Sequence, residues 1–270
     1  MSSIEHYENF PVASWVGPPA LRPAISSIYA FARAADDIAD EGTTSSAQRL
    51  EQLDQFERQL DRIEKGEHPT EAPFAALART IRLQSLSLVP FRQLLSAFRQ
   101  DVLKVRYATF DEVLDYSARS ANPVGRLLLA LYGVGDDSNL ARSDAICTGL
   151  QITNFWQDVA VDWAKGRVYI PASDLASFGV DESHLAAGLS DERWQRLMAF
   201  ETGQARVMLE SGRPLATALP RRARLELNMV IAGGLRILSA IDRARGDVFR
   251  HRPRLRRRDW LAMLASALVH

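Results

Sequence analysis

Apolar residues return every three or four positions along almost the whole chain, the period of an α-helix that buries one face. This patterning predicts helices over 20–41, 46–65, 71–84, 90–105, 110–131, 140–164, 189–218, 220–246 and 257–268. Turn-forming residues separate them: Gly42-Thr43-Thr44, Gly66 to Pro69, Val89-Pro90, Gly133 to Ser138, Gly166 to Pro171, and Pro220. Strand-like alternation is missing except for a short extended stretch, Arg167 to Ile170. With no repeat, low-complexity segment or linker in view, the expected architecture is an all-α bundle, one domain over residues 1–270.

Composition narrows the function. A chain of 270 residues that is 47% hydrophobic can bury one large core. Its formal net charge of zero argues against nucleic acid as a partner. The single cysteine, Cys147, rules out an internal disulfide and suits a reducing compartment. MSSIEHYENF has neither the basic nor the apolar region of a secretory signal, and the apolar run near Leu261 to Val269 is too short to span a bilayer. A cytoplasmic location follows as the expectation.

One local feature works against folding. FARAADDIADEG, Phe31 to Gly42, places Asp36, Asp37, Asp40 and Glu41 on the last turn of a predicted helix, before a glycine suited to end it. A helix C-terminus is partially negative, so each carboxylate there costs roughly 0.3–1 kcal/mol, and Asp36 repels Asp40 one turn away. Asp158 and Asp162 repeat the arrangement ahead of Gly166, whereas Asp111 and Asp115 follow Thr109 on a first turn, where acids are favoured. Counting back from Asp158 reaches Asn154 and Gln151, so Gln151, Asn154, Asp158 and Asp162 form one polar stripe. Lys165, Arg167 and Tyr169 follow it, and Arg33 precedes Asp36 by three residues. A hard divalent cation relieves both clusters, because Mg²⁺ takes oxygen ligands from one or two carboxylates and completes its shell with water and phosphate. Two acidic stripes with cations at their rim suit a metal–diphosphate group. The competing reading is a pair of solvated faces with ordinary salt bridges. The five histidines have no metal-ligand spacing, and no P-loop, dinucleotide fingerprint or nucleophile elbow occurs.

YAFARAADDIAD at 29–40 and QITNFWQDVAVDWAKGRVYIP at 151–171 resemble the two aspartate-rich signatures of the squalene/phytoene synthase family. ENFPVAS at 8–14, SANPVGRLLLALYG at 120–133 and DVFRHRPRL at 247–255 extend the resemblance, and look like the hopanoid-pathway branch that makes hydroxysqualene. The resemblance implies a class I isoprenoid synthase bundle with a central cavity. It implies that Asp36, Asp40, Asn154, Asp158 and Asp162 bind more than one Mg²⁺, with the four aspartates essential to catalysis. Phe10, Arg33, Gln151, Lys165, Arg167 and Tyr169 would contact substrate, and the next aromatic position of the pocket is Ser14 here.

Two departures bear on the reaction. Head-to-head synthases commonly have a tyrosine two residues after the position of Tyr116, where this chain has Ala118, and a later family tyrosine falls near Gly233-Gly234. The first is associated with joining two farnesyl diphosphates to presqualene diphosphate. The resemblance therefore implies ionisation of presqualene diphosphate and capture of the cation by water, giving hydroxysqualene without NADPH. Phe10, Tyr29, Phe31, Phe155 and Trp156 are candidates by proximity to hold that cation, although helical position suggests that several of them, Phe155 among them, pack the core. Two other readings stand beside it: a condensing squalene or phytoene synthase, and a non-catalytic assembly factor, which would not need its four motif aspartates.

The implied partners are presqualene diphosphate, an enzyme that supplies it and an enzyme that reduces hydroxysqualene. HRPRLRRRDWLAMLASALVH sets a basic cluster before a short apolar helix, which either lies on the inner face of the cytoplasmic membrane or docks on the bundle with its arginines solvated or facing the diphosphate entrance.

Overall fold

A computed structural model describes residues 18–40, 42, 44–250 and 252–255. Eleven α-helices account for most of them: α1 (Arg22–Asp40), α2 (Ser46–Glu64), α3 (Phe74–Gln84), α4 (Val89–Leu103), α5 (Phe110–Ser120), α6 (Asn122–Tyr132), α7 (Asp137–Ala164), α8 (Ala172–Ser177), α9 (Glu182–Ala187), α10 (Glu192–Gly212) and α11 (Arg221–Arg243). The all-α expectation holds. Phe10, Ser14, Glu41 and the predicted helix 257–268 lie outside the described residues.

Local chemistry sets the boundaries. Ser45 and Gln48 form a capping box at the start of α2, Thr109 accepts from the Glu112 amide to open α5, and the Asp136 carboxylate accepts from the Asn139 amide at 3.0 Å to open α7. Gly42 and Gly166, at φ 84° and 77°, stop the two acid-bearing helices in a conformation that costs other residues more.

Three expectations need correction. The helix predicted over 110–131 is two, because Pro123 cannot donate into a continuous ladder and the chain bends at Ala121. The helix predicted over 189–218 begins later, at Glu192 under an Asp191 cap, and tightens into a 3₁₀ turn, Arg213–Ala218, around Pro214. Two short helices, α8 and α9, occupy a stretch where periodicity over six residues is too brief to read.

Two apolar clusters form the interior. Phe31, Leu53, Leu60, Phe74, Leu77 and Phe91 centre the first, which joins α1 to α4 and reaches α6. Trp156, Trp194, Leu197, Leu209, Ile231 and Ile237 centre the second, around α7, α10 and α11. Glycines bring three helices close to α7: a Cβ on Gly125 of α6 would meet Ser143 Oγ and Cys147 Sγ, one on Gly212 would stand 2.7 Å from the Arg142 carbonyl oxygen, and one on Gly234 of α11 would meet Leu150 at 3.1 Å. The extended stretch after α7 is realised as an isolated parallel bridge, Arg106 to Val168, with the Val168 amide donating to the Val105 carbonyl at 2.9 Å. That bridge sets Tyr169 beside Tyr107.

Candidate active site

The last turn of α1 meets the segment that follows α7. Arg167 donates to Asp40 Oδ1 at 2.7 Å, and Lys165 Nζ lies 3.6 Å from Asp40 Oδ2. Arg33 lies 2.7 Å from Asp37 and 3.5 Å from Asp36 on α1 itself. Asp37 therefore pairs with an arginine, as its position about 100° round the helix from Asp36 suggests.

On α7, Gln151, Asn154 and Asp162 are half-buried and Asp158 is buried. Asp158 receives a two-pronged contact from Arg252, with Nη2 donating to Oδ2 at 2.9 Å, while Gln157 donates to the Pro253 carbonyl. Arg252 belongs to the DVFRHRPRL segment, yet its sequence context gives no sign of a contact with a helix almost a hundred residues away. Asp162 carries the strain of the cluster: burial first, then the charge of Asp158, push its carboxyl up to about 7 against the pull of Arg167 and Lys165.

An aromatic wall adjoins these charges. Tyr169 stacks on Phe155 with centroids 3.8 Å apart and planes at 3°, and Tyr107 lies 5.5 Å from Tyr169. Tyr116 closes the group, 6.0 Å from both Phe155 and Tyr169. A void of about 10 Å³, near the least that holds one water, lies among Phe155, Val159, Asp162, Arg167 and Tyr169. The tyrosines stay neutral: burial foremost, together with Asp101, holds the phenols of Tyr116 and Tyr169 well above the usual range.

Asp101 lies outside both aspartate-rich motifs. It sits on α4, 6% exposed; its Oδ2 accepts from the Tyr116 hydroxyl at 2.8 Å, and its carbonyl oxygen is 3.4 Å from Arg167. Its spacing to Arg106 and Tyr107 is unremarkable in sequence, and only the α4–α5 packing reveals it.

The aromatic candidates divide. Phe31 is fully buried among Phe56, Phe74 and Phe91, and Trp156 is fully buried with its indole donating to the Glu201 carbonyl. Both are core. Phe155 belongs to the wall, and Tyr29 is half-buried on α1. Ala118 is exposed on α5, so its missing ring takes nothing from the wall, where Tyr116 supplies a phenol. At Gly234 the contacts with Leu150 and Leu209 leave no space for a ring.

Among the described residues no three His, Cys, Asp or Glu side chains form a preformed ligand cluster. The fit to a divalent cation is one of donor chemistry: hard oxygens on two neighbouring helix ends, with the Asp162 carboxyl raised by burial first and by the charge of Asp158 second.

Residues 4–259 match the family model for squalene/phytoene synthase. The chain belongs to the squalene/phytoene synthase family. Members of this family are isoprenoid synthases that act on prenyl diphosphates. The chain is 36% identical to the hydroxysqualene synthase of Sinorhizobium fredii over 241 residues, 88% of this chain and 81% of that one. It is 34% identical to the phytoene synthase of Arthrospira platensis over 263 residues, 93% and 84% of the two chains. The crystal structure of squalene synthase HpnC from Alicyclobacillus acidocaldarius superposes with a TM-score of 0.83 at 40% identity, covering 89% of this chain and 90% of that one. The bundle is thus the isoprenoid synthase helical fold. No described helix is long and apolar enough to cross a membrane.

Proposed function

We propose that this family member converts presqualene diphosphate and water to hydroxysqualene and diphosphate in the presence of Mg²⁺. The observation that carries the reading is the junction at Asp40 and Arg167, where paired carboxylates and cations abut the stacked Phe155–Tyr169 wall. The charged side has the chemistry to take a diphosphate, and the aromatic side the chemistry to face a polyisoprenoid body. Sequence kinship to a hydroxysqualene synthase supports an alcohol product, and kinship to a squalene synthase a substrate of the same pathway.

Asp36, Asp40, Asn154, Asp158 and Asp162 would hold the metal, which when bound supplies positive charge against the departing diphosphate. Arg167 and Lys165 stand at Asp40 and would orient the diphosphate oxygens, with Arg33 and Gln151 at the edges of the same cluster. The carbon–oxygen bond to diphosphate breaks with its electron pair, leaving a cyclopropylcarbinyl cation. Ring faces and edges of the aromatic group left uncovered by the Phe155–Tyr169 stack would attract that cation, and the apolar surroundings restrict early attack by water. A water closes the reaction on the rearranged cation, so the product is an alcohol and no NADPH is consumed. The reaction then requires one enzyme that makes presqualene diphosphate and another that reduces hydroxysqualene. Work in the cytoplasm, at the inner membrane surface, suits so apolar a product.

A second reading, condensation by a phytoene or squalene synthase, is favoured by the similarity to the Arthrospira phytoene synthase and by the buried phenol of Tyr116. Incubating purified protein and Mg²⁺ separately with farnesyl, geranylgeranyl and presqualene diphosphates separates the two. Hydroxysqualene from presqualene diphosphate alone is expected; phytoene or presqualene diphosphate from the shorter substrates would replace this reading with the second.

A further inference from the structure

Water can end the proposed reaction only if something takes its proton. Most acids of the two motifs are engaged: Asp40 with Arg167 and Lys165, Asp158 with Arg252, and Asp36 with Arg33. Buried carboxyl oxygens that no well-aligned hydrogen-bond donor reaches occur, among the described residues, on Asp37, Asp101, Asp174 and Glu201. Asp37 faces Arg33, and Asp174 and Glu201 interact with each other. Asp101 alone of these four is bonded to the aromatic wall, through Tyr116.

We propose that Asp101, oriented by Tyr116, takes the proton from the water that quenches the cation. The inference rests on the reaction proposed above. Tyr116 occupies Oδ2 and fixes the carboxylate, leaving Oδ1 to accept. Arg167 touches the carbonyl oxygen of Asp101 while its guanidinium is committed to Asp40, so it does not neutralise the carboxylate by direct contact. The surrounding groups are Tyr107, Tyr116 and Tyr169, with Arg167 at the Asp101 carbonyl oxygen and Asp40 and Asp36 acting through their charge. Burial pushes the Asp101 carboxyl up to about 7, opposed by Tyr116 and Arg167 and aided by the motif aspartates, which makes it basic enough to accept a proton near neutrality.

The balance is simple. The water oxygen gives an electron pair to the cationic carbon, a carbon–oxygen bond forms, one O–H bond breaks, and the proton passes to Asp101 Oδ1. Diphosphate has already left with the electrons of its own bond, and Asp101 later returns the proton to solvent. No oxidant or reductant enters.

The test uses the full chain with Mg²⁺ and presqualene diphosphate, measuring released diphosphate and the products together. Asp101→Asn is expected to lower the share of hydroxysqualene at least tenfold relative to diphosphate released, with elimination or rearranged hydrocarbons in its place. Asp101→Glu should restore part of the alcohol, and Tyr116→Phe should shift the ratio in the same direction by a smaller factor. An unchanged product ratio in Asp101→Asn, even with slower turnover, would overturn the proposal, since a purely structural role slows both products equally. If thermal melts show that Asp101→Asn does not fold, the Tyr116→Phe ratio decides, and an unchanged ratio there refutes the assignment. Failure of the wild-type chain to make hydroxysqualene would instead refute the reaction itself, and this inference with it.

Discussion

Arg167 and Asp40 lie 127 positions apart in the chain and meet at 2.7 Å, joining the segment after α7 to the last turn of α1. The same guanidinium reaches the Asp101 carbonyl, so one planar fork ties three elements together. A lysine has the charge and lacks the fork. Arg167→Lys is expected to keep the fold and lose at least tenfold in kcat/KM, measured as diphosphate release. Arg167→Ala should also lower stability by roughly 1–3 kcal/mol, read from denaturant melts, because Asp40 loses its closest cation.

The four motif aspartates should separate in stability while agreeing in activity. Asp36 is a surface acid paired with Arg33, so Asp36→Asn should abolish most turnover and change stability by less than about 0.5 kcal/mol. Asp158 is buried against Arg252, and Asp158→Asn should cost roughly 1–3 kcal/mol as well as activity. Asp162 is the opposite case. Its folded carboxyl, raised to about 7, holds a proton that the unfolded chain releases near pH 4, so stability falls as pH rises across that interval. Asp162→Asn, melted in chelator at pH 8, should therefore be more stable than wild type.

Much of this site was legible because its acids break a rule. Carboxylates at helix C-termini oppose the dipole, and that conflict, repeated at Asp36/Asp40 and Asp158/Asp162, marked both helices before any packing was known. Gly42 and Gly166 marked where the helices stop. Asp101 is not legible, and of Arg252 only a place among arginines that can face the diphosphate end is, since each acts through a partner remote in sequence: Tyr116 on the next helix, and Asp158 across 94 positions. The break at Ala121 was missed because apolar periodicity runs on through α5 and α6 while Pro123 interrupts the backbone. Helical position marks several of the candidate aromatics as core, as Phe31 and Trp156 are, yet periodicity assigns a buried face without saying which of them meets the site.

Away from the site, Glu201 offers a pH test. It is fully buried, and burial first, then Asp174, push its carboxyl up to about 9. The unfolded chain loses this proton near the ordinary glutamate value and the folded chain keeps it until about pH 9, so stability should decline with rising pH between those limits and level off above. Glu201→Gln mimics the protonated form. It should flatten the decline and gain on the order of a few kcal/mol at pH 9, seen in melting curves across pH 5–9. A wild-type curve that stays flat there would show that Glu201 titrates normally.

SANPVGR has a structural reading that can be tested without substrate. Pro123 lies in the first turn of α6, and Gly125 lies under Ser143 and Cys147 of α7. Gly125→Ala has a better helix former, but its methyl group can be seated only if Ser143 Oγ and Cys147 Sγ, both packed at the α6–α7 contact, give way. The steric term should win, with a loss of roughly 1–3 kcal/mol in denaturant melts.

The glycine contacts also bear on how such a protein can diverge. Gly125, Gly212 and Gly234 hold α7 between residues 142 and 150, through its backbone and small or branched side chains, at least one turn before the polar stripe descends to Asp158 and Asp162. The bearing of those two carboxylates is thus inherited from a grip upstream of them, independent of the rings at Phe155, Tyr169 and Tyr116. A lineage can recut the apolar wall, and with it the fate of a carbocation, while the end that handles diphosphate keeps its aim. Relatives named for making an alcohol and for making a long polyene can then share one chassis and differ in its upholstery.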